Sequence, residues 1–171
     1  MKRLLIVDDE TPILNALRRL LQRHFRPQDL GVEICADPLH ALWRLQQTRF
    51  DVLISDYRMP LLDGVALLAR ARELEPRTVR MMLSAASDFG TVLAAVNRAE
   101  VFRYIPKPWN EPQLLVDLHA ALAFDPCATP SAYELERRRL EALEPGITQV
   151  EWGPNGEVLM LDNLPTRPRD P

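Results

Sequence analysis

The sequence predicts an α/β fold built on a five-stranded, doubly wound parallel sheet. Three observations carry this prediction. Short apolar runs alternate with segments of helical period, five times within about the first 124 of the 171 residues. The runs are mostly apolar, as in strands covered on both faces. Each is followed by polar residues able to do chemistry, and in such sheets the carboxyl ends of the strands form the ligand crevice.

The elements follow in order. Residues 3–7 form the first strand, and Asp8 and Asp9 follow it. Thr11-Pro12 reads as a helix cap with proline just inside, and Ile13, Leu14, Leu17, Leu20 and Leu21 supply the apolar face. Val32–Ala36 is the second strand. Asp37-Pro38 opens a helix with Leu42 and Leu45 inward. The third strand, Asp51–Ser55, leads into Asp56, and Asp63 caps the helix carrying Val65 and Leu68. Val79–Leu83 precedes Ser84, and Ser87 caps a helix with Val92 and Val96. Val101–Ile105 is the fifth strand, with Tyr104 and Phe102 on one face. Lys107 follows it. Asn110-Glu111-Pro112-Gln113 resembles a capping box before a helix facing inward through Leu114, Leu115, Leu118, Ala121 and Leu122.

Composition shifts at Asp125. The reading is two regions, 1–124 and a 125–171 extension made of a linker, a helix, a hairpin and a disordered end. Asp125-Pro126 and Thr129-Pro130 mark the linker. Ser131–Glu134 is a second capping box for a charged helix ending at Pro145-Gly146. Ile147–Trp152 and Glu157–Leu161 flank the turn Gly153-Pro154-Asn155-Gly156, a hairpin pattern. Residues 165–171 are rich in proline and charge and read as disordered. There is no internal repeat.

The bulk numbers exclude several classes. A net charge of −3 gives no nucleic-acid footprint. Arg137-Arg138-Arg139 is interleaved with glutamates and reads as a solvated mixed-charge face. Cys35 and Cys127 form no disulfide framework or metal spacing, which fits a reducing cytoplasm. His24, His40 and His119 have no metal spacing either. The apolar run after Met1-Lys2-Arg3 is cut short by Asp8-Asp9-Glu10, so it is no signal peptide. No run approaches the roughly 20 apolar residues of a membrane span. A cytoplasmic protein with no membrane or nucleic-acid partner is expected.

Alone, Asp8-Asp9 reads as a turn or a helix cap. Brought to one sheet edge with Asp56, the three carboxylates repel one another, and a bound Mg²⁺ removes that conflict. Asp56 ends the central strand and is best placed to attack phosphorus, a known covalent strategy for carboxylates. Lys107 supplies a second positive charge and Ser84 a hydrogen bond. Phosphoryl transfer needs mainly such positioning and charge stabilisation.

These residues resemble the receiver domain of bacterial two-component response regulators. The matching motifs are Val7-Asp8-Asp9-Glu10, Ile54-Ser55-Asp56-Tyr57-Arg58-Met59-Pro60, Leu62-Asp63-Gly64, Leu83-Ser84-Ala85-Ala86 and Tyr104-Ile105-Pro106-Lys107-Pro108-Trp109, in order across residues 1–124. The resemblance implies a flavodoxin-like strand order 2-1-3-4-5 and a phosphoacceptor at Asp56. It implies Mg²⁺ (or Mn²⁺) bound by Asp9, Asp56 and the Arg58 carbonyl, with Asp8 acting largely through water. Ser84 and Lys107 become the phosphate-binding pair, Tyr104 a switch aromatic, and 87–122 the output surface. It implies a cis peptide before Pro108, and Trp109 beside that loop. Arg58 and Ala86 stand where family members tune phosphate lifetime. Arg58 can shield the phosphate and Ala86 cannot orient water, so the phosphorylated form is expected not to be unusually short-lived.

The resulting expectation is a phosphorylation-dependent switch rather than an enzyme, served by a histidine kinase or phosphotransfer protein. Residues 125–171 are too few and too acidic for a typical DNA reader. They could pack on the receiver, or a homodimer could form through them or through 87–122. The downstream partner is not named by the sequence. Two rivals remain. One is a Mg²⁺-dependent hydrolase with an aspartyl-phosphate intermediate, whose Asp-x-Asp pattern after the first strand is absent here. The other is a pseudo-receiver that signals without phosphate, against which the complete acid, hydroxyl and lysine set argues.

Overall fold

The computed structural model describes residues 1–85, 99–126, 139, 151–152 and 158–159. Five parallel strands form the expected sheet: β1 (Lys2–Val7), β2 (Leu30–Cys35), β3 (Val52–Asp56), β4 (Val79–Ala85) and β5 (Arg103–Lys107), in the order β2-β1-β3-β4-β5. Among the described residues, four helices cover it: α1 (Thr11–His24), α2 (Pro38–Gln47), α3 (Gly64–Leu74) and α4 (Glu111–Ala123).

The apolar strands divide their side chains between two cores by the period-two alternation of a strand. Leu5, Val7, Leu53 and Met82 pack with Ala41 and Leu45 of α2 and with Leu67, Leu68 and Ala71 of α3. Leu4, Ile6, Val52, Ile54 and Met81 point the other way, onto Leu14, Leu17 and Leu21 of α1 and Leu114 and Leu118 of α4. Both faces are thereby covered, which is why the strands carry no polar alternation.

The helix starts are local chemistry. The Asp37 carboxylate accepts from Leu39 N, Asp63 from Ala66 N and Asn110 from Gln113 N, each satisfying a donor left open by the first turn. Thr11 is a correction: it is the first residue of α1, and Glu10 takes the cap position without a side-chain bond.

Several strand bounds differ from the sequence reading. β2 begins at Leu30 rather than Val32. β4 runs on to Ala85, so Ser84 lies inside the strand. β5 is shifted two residues, to Arg103–Lys107. It stands at the edge of the sheet, where Pro106 is tolerated because one side of the strand needs no ladder donor. The shift separates Phe102 from Tyr104. Phe102 precedes the strand and packs on the α1–α4 core, whereas Tyr104 packs on the α2–α3 core. The two rings do not share a face.

The helix expected from Ser87 and the helix expected within 131–145 lie outside the described residues. A short antiparallel pair, β6 (Glu151–Trp152) with β7 (Val158–Leu159), lies within the expected hairpin. Among the described residues, no helix is long and apolar enough to cross a membrane.

Gly64 opens α3 against the end of β3. Its N–H donates to Tyr57 O at 2.9 Å. A β-carbon there would collide with the carbonyl oxygen of Asp56 and sit 2.9 Å from its carbonyl carbon, and both are backbone atoms that cannot swing aside. Gly64→Ala is therefore expected to lower stability by about 1–3 kcal/mol, as for overpacked sites, read as a reduced urea midpoint.

Candidate functional site

The register of the sheet assembles the site. Val7 pairs with Ser55, so Asp8 and Asp56 leave β1 and β3 at the same level. Asp56 pairs with Leu83, Ser84 with Pro106 and Ala85 with Lys107, so each strand's polar residue lies at the carboxyl edge. One potential ligand atom from each of Asp8, Asp9 and Asp56 falls within 4.8 Å of the others. Asp8, Asp56 and Ser84 are buried, and Asp9 is exposed.

Lys107 ties the carboxylates together. Its Nζ lies 2.5 Å from Asp56 Oδ1 and 2.7 Å from Asp8 Oδ2. Asp8 Oδ1 accepts from Glu10 N at 2.8 Å. Burial pushes the Asp56 carboxyl above its ordinary range, and the negative charge of Asp8 adds to that, while the bond to Lys107 and the Arg58 backbone N–H pull the other way. Burial alone would lower Lys107. Its hydrogen bonds and charge attraction to Asp56 and Asp8 outweigh that and hold the ammonium group protonated.

The donor set is oxygen-only and strongly anionic, which suits a hard divalent cation such as Mg²⁺. One lysine cannot neutralise three carboxylates, so the cluster retains an electrostatic reason to take up a cation.

Comparisons with known proteins give the family. Residues 4–119 match the profile of the response regulator receiver domain. The chain belongs to the response regulator receiver family. Its receiver is 36% identical over 119 residues to the hydrogenase transcriptional regulatory protein HoxA of Bradyrhizobium diazoefficiens, covering 70% of this chain and 24% of that protein. It is 41% identical over 113 residues to HoxA of Cupriavidus necator, covering 66% and 22%. The chain thus spans about a quarter of these curated relatives. Among solved structures, the signal receiver domain of an HD domain-containing protein from Pseudomonas fluorescens Pf-5 superposes with a TM-score of 0.65 at 34% identity, covering 71% of this chain and 94% of that one. A CheY-like receiver from Methanospirillum hungatei JF-1 gives 0.64 at 27% identity, covering 80% and 98%.

In this receiver the remaining expected positions are as follows. Arg58 is exposed, Ala86 lies outside the described residues, and the Lys107–Pro108 peptide is cis. Trp109 is partly buried against the α1–α4 core. Ser84 is buried, with its hydroxyl 3.4 Å from Ala85 O. Glu10 was not singled out by the sequence reading, yet its carboxylate comes within 3.9 Å of Lys107 Nζ. The Asp-Asp-Glu triplet was its only signal, since Glu10 looks like an ordinary helix-start residue.

Tyr104 is partly buried, and its hydroxyl donates toward Ser84 O at 3.2 Å and Ala85 O at 3.3 Å. Those carbonyls belong to the tip of β4. Tyr104→Phe should cost about 0.5–1.5 kcal/mol, the net value of an ordinary hydrogen bond, measured by urea unfolding of the two proteins side by side.

Proposed function

We propose that the chain is a phosphorylation-dependent switch in which Asp56 accepts a phosphoryl group from a phosphohistidine on a kinase or phosphotransfer protein. The observation that carries this reading is the meeting of three carboxylates within 4.8 Å, with the Lys107 ammonium bonded to two of them. In the reaction, an Asp56 carboxylate oxygen attacks phosphorus and a P–O bond forms. The P–N bond to the donor imidazole breaks, and the imidazole leaves with the bonding pair and is protonated. Asp8, Asp9, Asp56 and the Arg58 carbonyl would hold Mg²⁺ or Mn²⁺, which when bound offsets charge on the phosphoryl oxygens.

Lys107 then serves in exchange. Its present bond to Asp56 gives way to a bond with a phosphoryl oxygen, and Ser84 contributes its hydroxyl from the neighbouring strand. Tyr104 follows, because its hydroxyl is bonded to the carbonyls of Ser84 and Ala85. The changed surface is about 87–122 and acts by protein contact. Residues 1–124 are the receiver. Residues 125–171 act as a protein-contact extension rather than a DNA reader, packing on the receiver or joining two copies. The activity is cytoplasmic signalling, with no turnover of an external substrate.

The hydrolase reading gains no support from the site, because the candidate nucleophile ends the central strand β3 and not β1.

Acetyl phosphate with Mg²⁺ should label the wild-type protein once per chain, leave Asp56→Asn unlabelled, and yield a phosphorylated form lasting minutes rather than seconds. Repeated turnover of small phosphate esters, or equal labelling of Asp56→Asn, would overturn the switch reading.

A further inference from the structure

The small sheet of the extension cannot stand alone. β6 and β7 are two residues each, with Glu151 opposite Leu159 and Trp152 opposite Val158. An isolated hairpin is at best marginally stable in water and needs an apolar surface to lie on. Residues 147–161 hold seven large apolar residues, Trp152 among them, two acids (Glu151 and Glu157) and no lysine or arginine. The matching surface is apolar, with positive charge still open at its rim.

The receiver has such a surface at the end of the sheet away from Asp56. An open pocket of about 260 Å³ lies between the starts of β1, β3 and β4 and the end of α4. Leu122, Phe124 and Pro126 line it and are only partly buried. Lys2 and Asp51 line it too and are paired with each other at 2.9 Å. Arg77 is exposed at the same pocket and makes no ion pair among the described residues. Pro126 is part of the wall, so the extension leaves the receiver at the pocket itself. The 24 residues 127–150 then lead to β6, a tether long enough to turn back and short enough to keep the hairpin concentrated there. The other exposed apolar pair one helical turn apart, Leu39 and Trp43 of α2, offers less, because the neighbouring Arg44 is already bonded to Glu33 at 2.6 Å.

We propose that this pocket holds the chain's own hairpin, with Trp152 against Leu122, Phe124 and Pro126 and a hairpin carboxylate on Arg77. This rests on the reading of residues 125–171 as a protein-contact extension, and it selects packing on the receiver over joining two copies. A hairpin seated there leaves the Asp56 edge of the sheet open.

The test follows amide hydrogen exchange of residues 147–161 in the full chain, which reads how often the segment opens. These amides should be protected in the wild type, and the chain should sediment as a monomer. Trp152→Ser should lower the protection about tenfold or more, as for loss of a buried aromatic side chain. That change also loosens the hairpin itself, so charge reversal decides. Arg77→Glu should lower the protection about threefold, as for an exposed ion pair turned repulsive. Glu151→Arg or Glu157→Arg should restore it in the Arg77→Glu background. Trp43→Ser should leave it unchanged. The proposal is overturned if Arg77→Glu leaves the protection as it was, if Trp43→Ser removes it, or if the protection belongs to a dimer and is lost on dilution. In those cases the extension still makes a contact and the wider reading stands. A wild type with no protection in 147–161 would remove the contact-extension reading itself, so the two failures are distinct.

Discussion

Two buried carboxylates share one ammonium group, and the carboxyl edge of the sheet is organised around that contact. Asp8 comes from the end of β1, Asp56 from β3 and Lys107 from β5, 99 residues away from Asp8 in sequence. The bonds of 2.5 and 2.7 Å form only if β1, β3, β4 and β5 are all in register. A slip of one residue in any strand would turn its polar end residue toward the opposite face. The ion cluster is thus a readout of the whole sheet. It is also an imperfect solution. Buried like charges oppose one another, and desolvation weakens what the lysine returns. That residual conflict would favour the binding of a cation at this edge and, on the proposed function, of a phosphoryl group.

The amino-terminal end of the sheet is satisfied in a different manner. Arg80 of β4 is buried, yet no buried carboxylate faces it among the described residues. Its Nε donates to Ala99 O at 2.8 Å and its Nη1 to Thr78 O at 2.7 Å, with Glu100 at 3.7 Å on the outer side. Glu100 has φ of 49° and also pairs with Arg72 of α3 at 2.6 Å. Main-chain carbonyls carry no net charge, so this guanidinium secures the return of the chain toward β5 without creating a second charge conflict. Thr78 Oγ1 donates to Phe50 O at 2.8 Å, and Lys2 pairs with Asp51 at 2.9 Å, which ties the same end together. One end of the sheet is tied by backbone carbonyls and outlying ion pairs, and the other is left short of positive charge.

What the sequence made legible follows this division between local and distant causes. Asp37, Asp63 and Asn110 were readable as caps because a cap bonds to an amide two or three residues away. The three acids and Lys107 were readable as a set because each ends an apolar run, and a parallel sheet places those ends together. The bounds of β5 were not readable. Pro106 and Lys107 look like a loop, and only the edge position of the strand makes them compatible with pairing. The misplaced end carried the error about Phe102 and Tyr104 with it. Gly64 was legible only as part of the Leu62-Asp63-Gly64 motif, and Arg80 not at all, for a deeper reason. Gly64 is needed by the carbonyl of Asp56, and Arg80 by a carbonyl 19 residues away, and neither partner leaves a pattern around the residue itself.

The bracing of Asp56 constrains which way a signal can travel. Its carbonyl accepts from Ser55 Oγ at 2.8 Å and fills the space a side chain at Gly64 would need, while Tyr57 N is held by Leu83 O at 2.9 Å. The backbone around the proposed phosphoacceptor therefore has little room to move. A new group on its side chain must act on side chains, and the neighbours differ in what they can give up. Asp8 is also anchored by Glu10 N. Among the described residues Lys107 has only carboxylate partners, and on the proposed function it would exchange one for a phosphoryl oxygen without losing its charge balance. Lys107 pairs with Ala85, and Ala85 O already accepts from Tyr104. On the proposed function, a phosphoryl group on Asp56 would pull on the tips of β4 and β5, where bonds can be exchanged, and leave β1 and β2 as the fixed side of the sheet.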